Sequence, residues 1–238
     1  MNIFHCSITK AATLMFNIIF RNNNYYNYFN YNHTHFSQIK NGTIPPNTIV
    51  SQITKIKYSN FFKELNITDD YRGFYMARDP REVITSAYYS WLYSHPGGHI
   101  EREKIQSLSK DNAMIYIIDK YDLEFDVMYD WLTTCDNNKF VIIRFEEFFE
   151  NDESQIKNMV NLFKFLKLTQ DDKLITKIAK KNTFSHLGGR KAGNINNKHH
   201  YRAGIKDTWK TELSDKVLNY LYDKKGENFI TDMNYKII

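Results

Sequence analysis

Arg78-Asp79-Pro80-Arg81-Glu82, followed by Ser86, combines a basic side chain, a capped helix start and a later hydroxyl. The preceding segment, Gly73-Phe74-Tyr75-Met76-Ala77, is short, apolar and aromatic, as a buried strand is. Asp79 is a good N-cap, Pro80 suits the first helical position, and Glu82 stands where a capping-box partner belongs. Val83, Ile84, Ala87, Tyr88, Trp91 and Leu92 then recur at helical spacing. Arg78 therefore falls at a strand-to-helix junction, with Ser86 roughly 10 Å further along the helix. An arginine in that place either holds an anion or pairs with a nearby carboxylate, and these residues alone leave both readings open.

A second anion-binding candidate lies at the start of the chain. Ile3-Phe4-His5-Cys6-Ser7-Ile8 reads as a strand, Thr9-Lys10-Ala11-Ala12-Thr13 as a tight loop, and Leu14, Met15, Ile18 and Ile19 as the apolar face of a helix. Free backbone N–H groups and the helix dipole attract phosphate to such a place, and Lys10 adds a full charge. The G-x-x-x-x-G-K-[ST] pattern of a Walker A loop is absent. The alternative is an ordinary first strand and helix with a solvated lysine.

A third candidate is Tyr201-Arg202-Ala203-Gly204-Ile205-Lys206-Asp207-Thr208-Trp209-Lys210. It follows a Gly-, Asn- and Lys-rich stretch without hydrophobic periodicity, and residues 188–204 are read as a lid because long loops in compact domains are lids, binding elements or disorder. Arg190, Lys191, Lys198 and Arg202 are positioned in sequence to close over a polyanion; the plain alternative is a flexible surface linker.

These segments, in this order, resemble the sulfotransferases that use 3'-phosphoadenylyl sulfate (PAPS). In that family a loop of the form K-x-G-T-T holds the 5'-phosphosulfate, an R-x-x-x-x-x-x-x-S segment holds the 3'-phosphate, and a late R-K-G-x-x-x-x-W segment closes over it. Lys10 and Thr13 match the loop, Arg78 and Ser86 the second motif, and Arg202, Gly204 and Trp209 the third. Lys139 to Phe148 looks like the family's later strand and its Y-E-D/E-L turn, and Asn182-Thr183-Phe184 like the T-S-F segment whose ring packs on adenine. The resemblance spans Ile3 to Trp209. It implies a donor site built from Lys10, Ala11, Ala12, Thr13, Arg78, Ser86, Phe184, Arg202 and Gly204, with adenosine 3',5'-bisphosphate (PAP) as product and no metal.

Several positions depart from the family pattern. Ala12 replaces the usual Gly, which is tolerable if its dihedrals are helical, since only positive φ demands glycine. Leu14, Met15, Ala203 and Phe145 replace a usual Thr, Trp, Lys and Tyr, removing polar contacts and one aromatic platform; Arg190 and Lys191 are the candidates to compensate. The family's K-x-H segment on the second strand reads here Ile49-Val50-Ser51-Gln52-Ile53-Thr54, without a titratable group. Ser51 and Gln52 are left as hydrogen-bonding groups for the sulfonate. His33 and His35 are the first candidates for the base that deprotonates the acceptor, with His99, His199 and His200 behind them, and solvated loop histidines as the plain alternative.

Length and composition bound the rest. A chain of 238 residues with 42% hydrophobic content supports a proper interior and is read as one sulfotransferase domain, 1–238. A net charge of +5 suits an anionic ligand and falls short of a nucleic-acid-binding face. The two cysteines, Cys6 and Cys135, provide no zinc framework, and His33 with His35 lacks a third ligand of suitable spacing. No segment approaches the roughly 20 apolar residues of a membrane span, and the early first strand leaves no removable signal, so membrane insertion is excluded and a cytoplasmic location is expected.

Strands are expected at 3–8, 48–54, 72–77 and 139–145, and helices at 11–21, 61–65, 80–94, 113–134, 153–167, 171–181 and 211–225. Their alternation predicts a three-layer α/β fold, with a central, mostly parallel sheet flanked by helices, as in P-loop NTPases and sulfotransferases. Lys10 and Arg78 then fall beyond the carboxyl ends of strands, where such sheets bind ligands. The expected function is transfer of a sulfuryl group from PAPS to a hydroxyl or amine of a carbohydrate, lipid headgroup or small alcohol or phenol. The rival readings are a small-molecule P-loop kinase and a non-catalytic nucleotide-binding relative.

Overall fold

A computed structural model describes residues 1–22, 26–31, 44–65, 67, 70–95, 99–136, 138–169 and 171–236. Its sheet contains β1 (Asn2–Ser7), β2 (Asn27–Asn30), β3 (Thr48–Ile53), β4 (Tyr71–Ala77) and β5 (Phe140–Arg144) in the order β2-β3-β1-β4-β5. Every pairing is parallel. Central β1 and β4 read as apolar runs because helices cover both of their faces.

Alternation along the strands shows the two faces. His5 and Phe74 stack at 4.8 Å and meet Phe16 and Phe20 of α1 (Thr13–Arg21). The neighbouring residues Phe4 and Tyr75 point the opposite way. Phe4 meets Phe61 of α2 (Tyr58–Leu65), and Tyr75 stacks on Trp131 at 5.0 Å. Trp131 belongs to α5 (Lys110–Thr134), is fully buried, and donates its indole N–H to the Ile56 carbonyl at 2.9 Å. The expected three layers are therefore present, with one core on each side of the sheet.

The junction after β4 forms α3 (Pro80–Tyr89) as expected, with Asp79 accepting from the Arg81 amide at 2.9 Å and Pro80 leading the helix. Glu82, however, is not a capping-box partner; its carboxylate accepts from Thr208 and the Trp209 amide, while the Asp79 amide donates to Glu146. The last turn, Ser90–Ser94, is π-helical, and the His95 amide closes it on the Ser90 carbonyl at 2.7 Å. α4 (His99–Gln106) occupies a region read only as mixed, and α5 starts earlier than expected because Ser109 caps it.

The remaining helices are α6 (Phe145–Phe148), α7 (Asp152–Phe165), α8 (Asp172–Lys181), α9 (Phe184–Gly188), α10 (Trp209–Glu212), α11 (Asp215–Lys225) and α12 (Phe229–Asp232). The single helix expected at 211–225 is thus two, parted at Leu213-Ser214. Strand β2 was not expected. Only four residues long, it exists by pairing Asn27–Asn30 with Thr48–Ser51, and its Tyr28 and Phe29 pack against the core, as does buried Tyr31. No helix among the described residues is long and apolar enough to cross a membrane.

Candidate active site

The loop after β1 is held open by its backbone. Lys10 has φ 74° and Ala12 φ 55°, both left-handed, so the chain makes a sharp concave turn into α1. Ala12 therefore does occupy the conformation that favours glycine, and the tolerance expected from helical dihedrals does not hold; strain of about 1–2 kcal/mol is built in. The Ala11 amide donates to the Ile8 carbonyl at 3.3 Å and its side chain is fully buried, so Ala11 shapes the turn. Thr13 lies with its hydroxyl 3.2 Å from that of Ser7 and 3.4 Å from the Ile8 carbonyl. No side chain caps α1, which leaves its first-turn amides without a side-chain partner at the mouth of the loop.

Glu124 of α5 braces the same loop, accepting the Thr9 amide at 2.9 Å. Sequence gave no hint of it, because the two residues are 115 positions apart. Burial pushes the Glu124 carboxyl up, against the hydrogen bonds from Thr9 and the charge of Lys55. Lys10 is pushed down to about 8, first by burial and then by the Arg78 charge.

Arg78 joins two of the expected segments. Its Nη1 donates to the Lys10 carbonyl at 2.7 Å, its Nη2 to Glu82 Oε2 at 3.2 Å, and its guanidinium lies 4.3 Å over the Phe145 ring. Phe145 thus keeps the aromatic face that the family's tyrosine would supply. Arg78 thus pairs with a carboxylate, as one of its two sequence readings has it, and its buried Nε has no hydrogen-bond partner among the described residues. Ser86, one helical turn beyond Glu82, is half-buried on α3.

Glu82 is the hub that sequence missed. Thr208 donates its hydroxyl to both Glu82 oxygens, each at 3.1 Å, and the Trp209 amide donates to Oε1 at 3.1 Å. Arg202 reaches Thr208 Oγ1 at 2.6 Å and Glu212 at 3.5 Å, with its guanidinium 4.7 Å from the Tyr89 ring. The late segment is in this way fastened to α3, and Arg78 and Arg202 share a buried carboxylate network. The only local signal was the i, i+4 spacing of Arg78 and Glu82.

The loop from Gly189 to Asp207 has no regular structure and is stapled internally. Arg190 donates to the carbonyls of Gly188, Asn194, Tyr201 and Arg202, and its guanidinium lies 5.3 Å from the Phe184 ring. Those bonds commit Arg190 to the loop itself, so it does not replace the missing lysine; Lys191 and Lys198 remain exposed. Gly204 has φ 65°, and a Cβ there would sit 2.6 Å from the Phe184 ring. Phe184 and Gly204, far apart in sequence, are thus in direct contact.

On the acceptor side, Ser51 is unavailable. It is fully buried, donates to Asn17 Oδ1 at 2.6 Å and lies 2.6 Å from His5 Nδ1. Burial pushes His5 down to about 3, so the ring is neutral and its Nδ1–H donates to Ser51. Gln52 is different: it sits at the β1–β3 irregularity with φ 66° and a buried Oε1 without a partner among the described residues. His33 and His35 lie outside the described residues. Loss of solvation, followed by Lys10, lowers His95. His200 is pushed down to about 4 by loss of solvation, then Lys10, His199 and His95.

The sulfotransferase domain family matches residues 18–229; the match begins inside α1, after the Lys10 loop. No curated protein matches the chain significantly. Among solved structures, the mouse sulfotransferase SULT7A1 complexed with PAP aligns with a TM-score of 0.65 at 15% identity, over 99% of this chain and 85% of that one. Retinol dehydratase in complex with retinol and PAP aligns with a TM-score of 0.58 at 10% identity, over 100% of this chain and 83% of that one. At such identities the structures speak for the fold, while the family match covers most of the chain. The chain belongs to the sulfotransferase domain family.

Proposed function

We propose that this chain moves the sulfuryl group of PAPS to a hydroxyl or amine of an acceptor, a glycan, lipid headgroup or small alcohol or phenol, and releases PAP. The observation that carries the reading is the Arg78–Lys10 contact at 2.7 Å, which sets two anion-binding segments side by side within a sulfotransferase fold. Lys10, the first-turn amides of α1 and Thr13 suit a phosphosulfate. The free N–H groups of Arg78, with Ser86 and Arg202, suit the ribose 3'-phosphate. Phe184 and Gly204 suit the adenine edge. The buried, unpartnered Arg78 Nε fits a role toward an anion.

In this reading the protein aligns the acceptor opposite the leaving oxygen and stabilises the charge that develops there, with Lys10 in the leading part. The chain is taken as one domain with residues 188–204 as the lid. A reducing, cytoplasmic setting suits its two free thiols, Cys6 and Cys135.

A thermal-shift panel tests the assignment. PAP without magnesium is expected to stabilise the protein by about 2.7 kcal/mol at 100 times its Kd, with ADP, which lacks the 3'-phosphate, much weaker. A larger response to Mg-ATP would favour a kinase. PAP binding without labelled-sulfate transfer to any acceptor class would favour a non-catalytic relative.

A further inference from the structure

Glu82 is 2% exposed, and three groups donate to its carboxylate: Arg78 Nη2, the Thr208 hydroxyl and the Trp209 amide. A buried ion pair is a poor source of stability, because desolvation offsets most of the attraction; its better-attested use is to specify one geometry. The geometry specified here joins two guanidiniums. Arginine has no acceptor, so Thr208 Oγ1 takes the Arg202 N–H at 2.6 Å, and its own proton goes to Glu82 at 3.1 Å. Arg78, Glu82, Thr208 and Arg202 therefore form one directed chain of hydrogen bonds, with a cation at each end and a single carboxylate between them.

Both ends of that chain are fixed. The Lys10 carbonyl holds Arg78 Nη1 at 2.7 Å. Trp209, next to Thr208, is buried with the Arg81 guanidinium 3.8 Å from its ring centre, and Arg81 is itself bonded to Asp79 at 2.7 Å. Glu212 also approaches Arg202, but at 3.5 Å, and it is shared with Lys110 and the Tyr89 hydroxyl, each at 2.7 Å. The Thr208 hydroxyl is the closer hold.

We propose that Glu82 and Thr208 are positioning residues for the donor: they align the Arg78 and Arg202 guanidiniums so that one phosphate, the 3'-phosphate of the nucleotide, meets both. This rests on PAPS being the donor. The carboxylate that orients Arg78 is also the one on which the segment after the lid docks, so loop placement and recognition of the 3'-phosphate are a single event. The two residues act on the preference for nucleotides that carry this phosphate, through the arginines they hold.

Calorimetric affinities of the full chain for PAP and for adenosine 5'-monophosphate test this. Thr208→Val keeps the shape of the side chain and removes its hydroxyl. PAP affinity is expected to fall about 10-fold or more, with the monophosphate kept within about threefold, and Thr208→Ser to restore the preference. In an Arg202→Lys background, Thr208→Val is expected to weaken PAP little further, because the chain is already broken at its end. Glu82→Gln should lose the preference in the same way; if that variant does not fold, the Thr208 series decides alone. Equal losses for both nucleotides in Thr208→Val would mean that the hydroxyl only staples the loop, and would overturn the proposal. So would an unchanged preference. A native chain that binds PAP no better than the monophosphate would strike the donor assignment instead.

Discussion

Arg78 donates to the main-chain carbonyl of Lys10 at 2.7 Å while its other Nη holds Glu82 at 3.2 Å. The contact ties the end of β4 to the loop after β1 and sets two cationic groups together. Burial, and after it the Arg78 charge, lower Lys10, and a polyanion bound between the two cations would offset their repulsion.

Lys10 therefore makes nucleotide binding pH-dependent. With its ammonium pushed down to about 8 in the free protein, PAP binding draws in a proton above that pH. Affinity for PAP is expected to fall as pH rises through about 8, and Lys10→Met to bind more weakly with a flat profile. Isothermal titration in buffers of different ionisation enthalpy reads the proton uptake directly.

Arg78→Lys retains the charge but not the fork that spans the Lys10 carbonyl and Glu82. Loss of one charge-assisted hydrogen bond at about 1.5–3 kcal/mol corresponds to roughly a 10- to 150-fold weaker PAP affinity. The preference for PAP over adenosine 5'-monophosphate should shrink with it. A variant that kept the preference would place the 3'-phosphate elsewhere.

At Ala12 the left-handed φ of 55° is strained for any residue with a Cβ. Ala12→Gly is expected to stabilise the fold by about 0.5–1 kcal/mol, the relieved strain exceeding glycine's extra chain entropy. Urea unfolding measures the change, and a loss of stability would show that this turn relaxes without cost.

Gly204→Ala meets two obstacles, a φ of 65° and a Cβ 2.6 Å from the Phe184 ring. The contact should part, raising the Kd for PAP several-fold and exposing the 189–207 loop to proteolysis, while the melting temperature changes little because the loop lies outside the sheet core.

Glu146 carries a pH signature of a different kind. Burial raises its carboxyl to about 7, against the Arg78 charge and the Asp79 amide, which donates to Oε1 at 2.9 Å; Oε2 is buried without a partner among the described residues. The folded state thus binds a proton more tightly than the unfolded chain. Its contribution to stability is present below the unfolded value of about 4.3 and is lost as pH rises through about 7. Glu146→Gln should flatten that slope, as melting temperatures across about pH 5 to 8 would show.

The order of elements was legible in the sequence because it rests on local rules. Helical spacing after Pro80, the apolar runs of β1 and β4, and the unpatterned stretch beyond Gly188 all belong to single segments. The segments around Lys10, Arg78 and Arg202 were legible as anion-binding candidates for the same reason. Strand β2 escaped because its four residues are a strand only through their partners on β3. What the tertiary structure alone decided was which of the charged groups remain free. Arg190 commits its donors to four nearby carbonyls, Ser51 its hydroxyl to a buried Asn17, and Glu82 its carboxylate to Thr208, 126 positions away. Spacing cannot report such pairings, because a buried polar group must take the partner that folding brings to it, however distant in the chain.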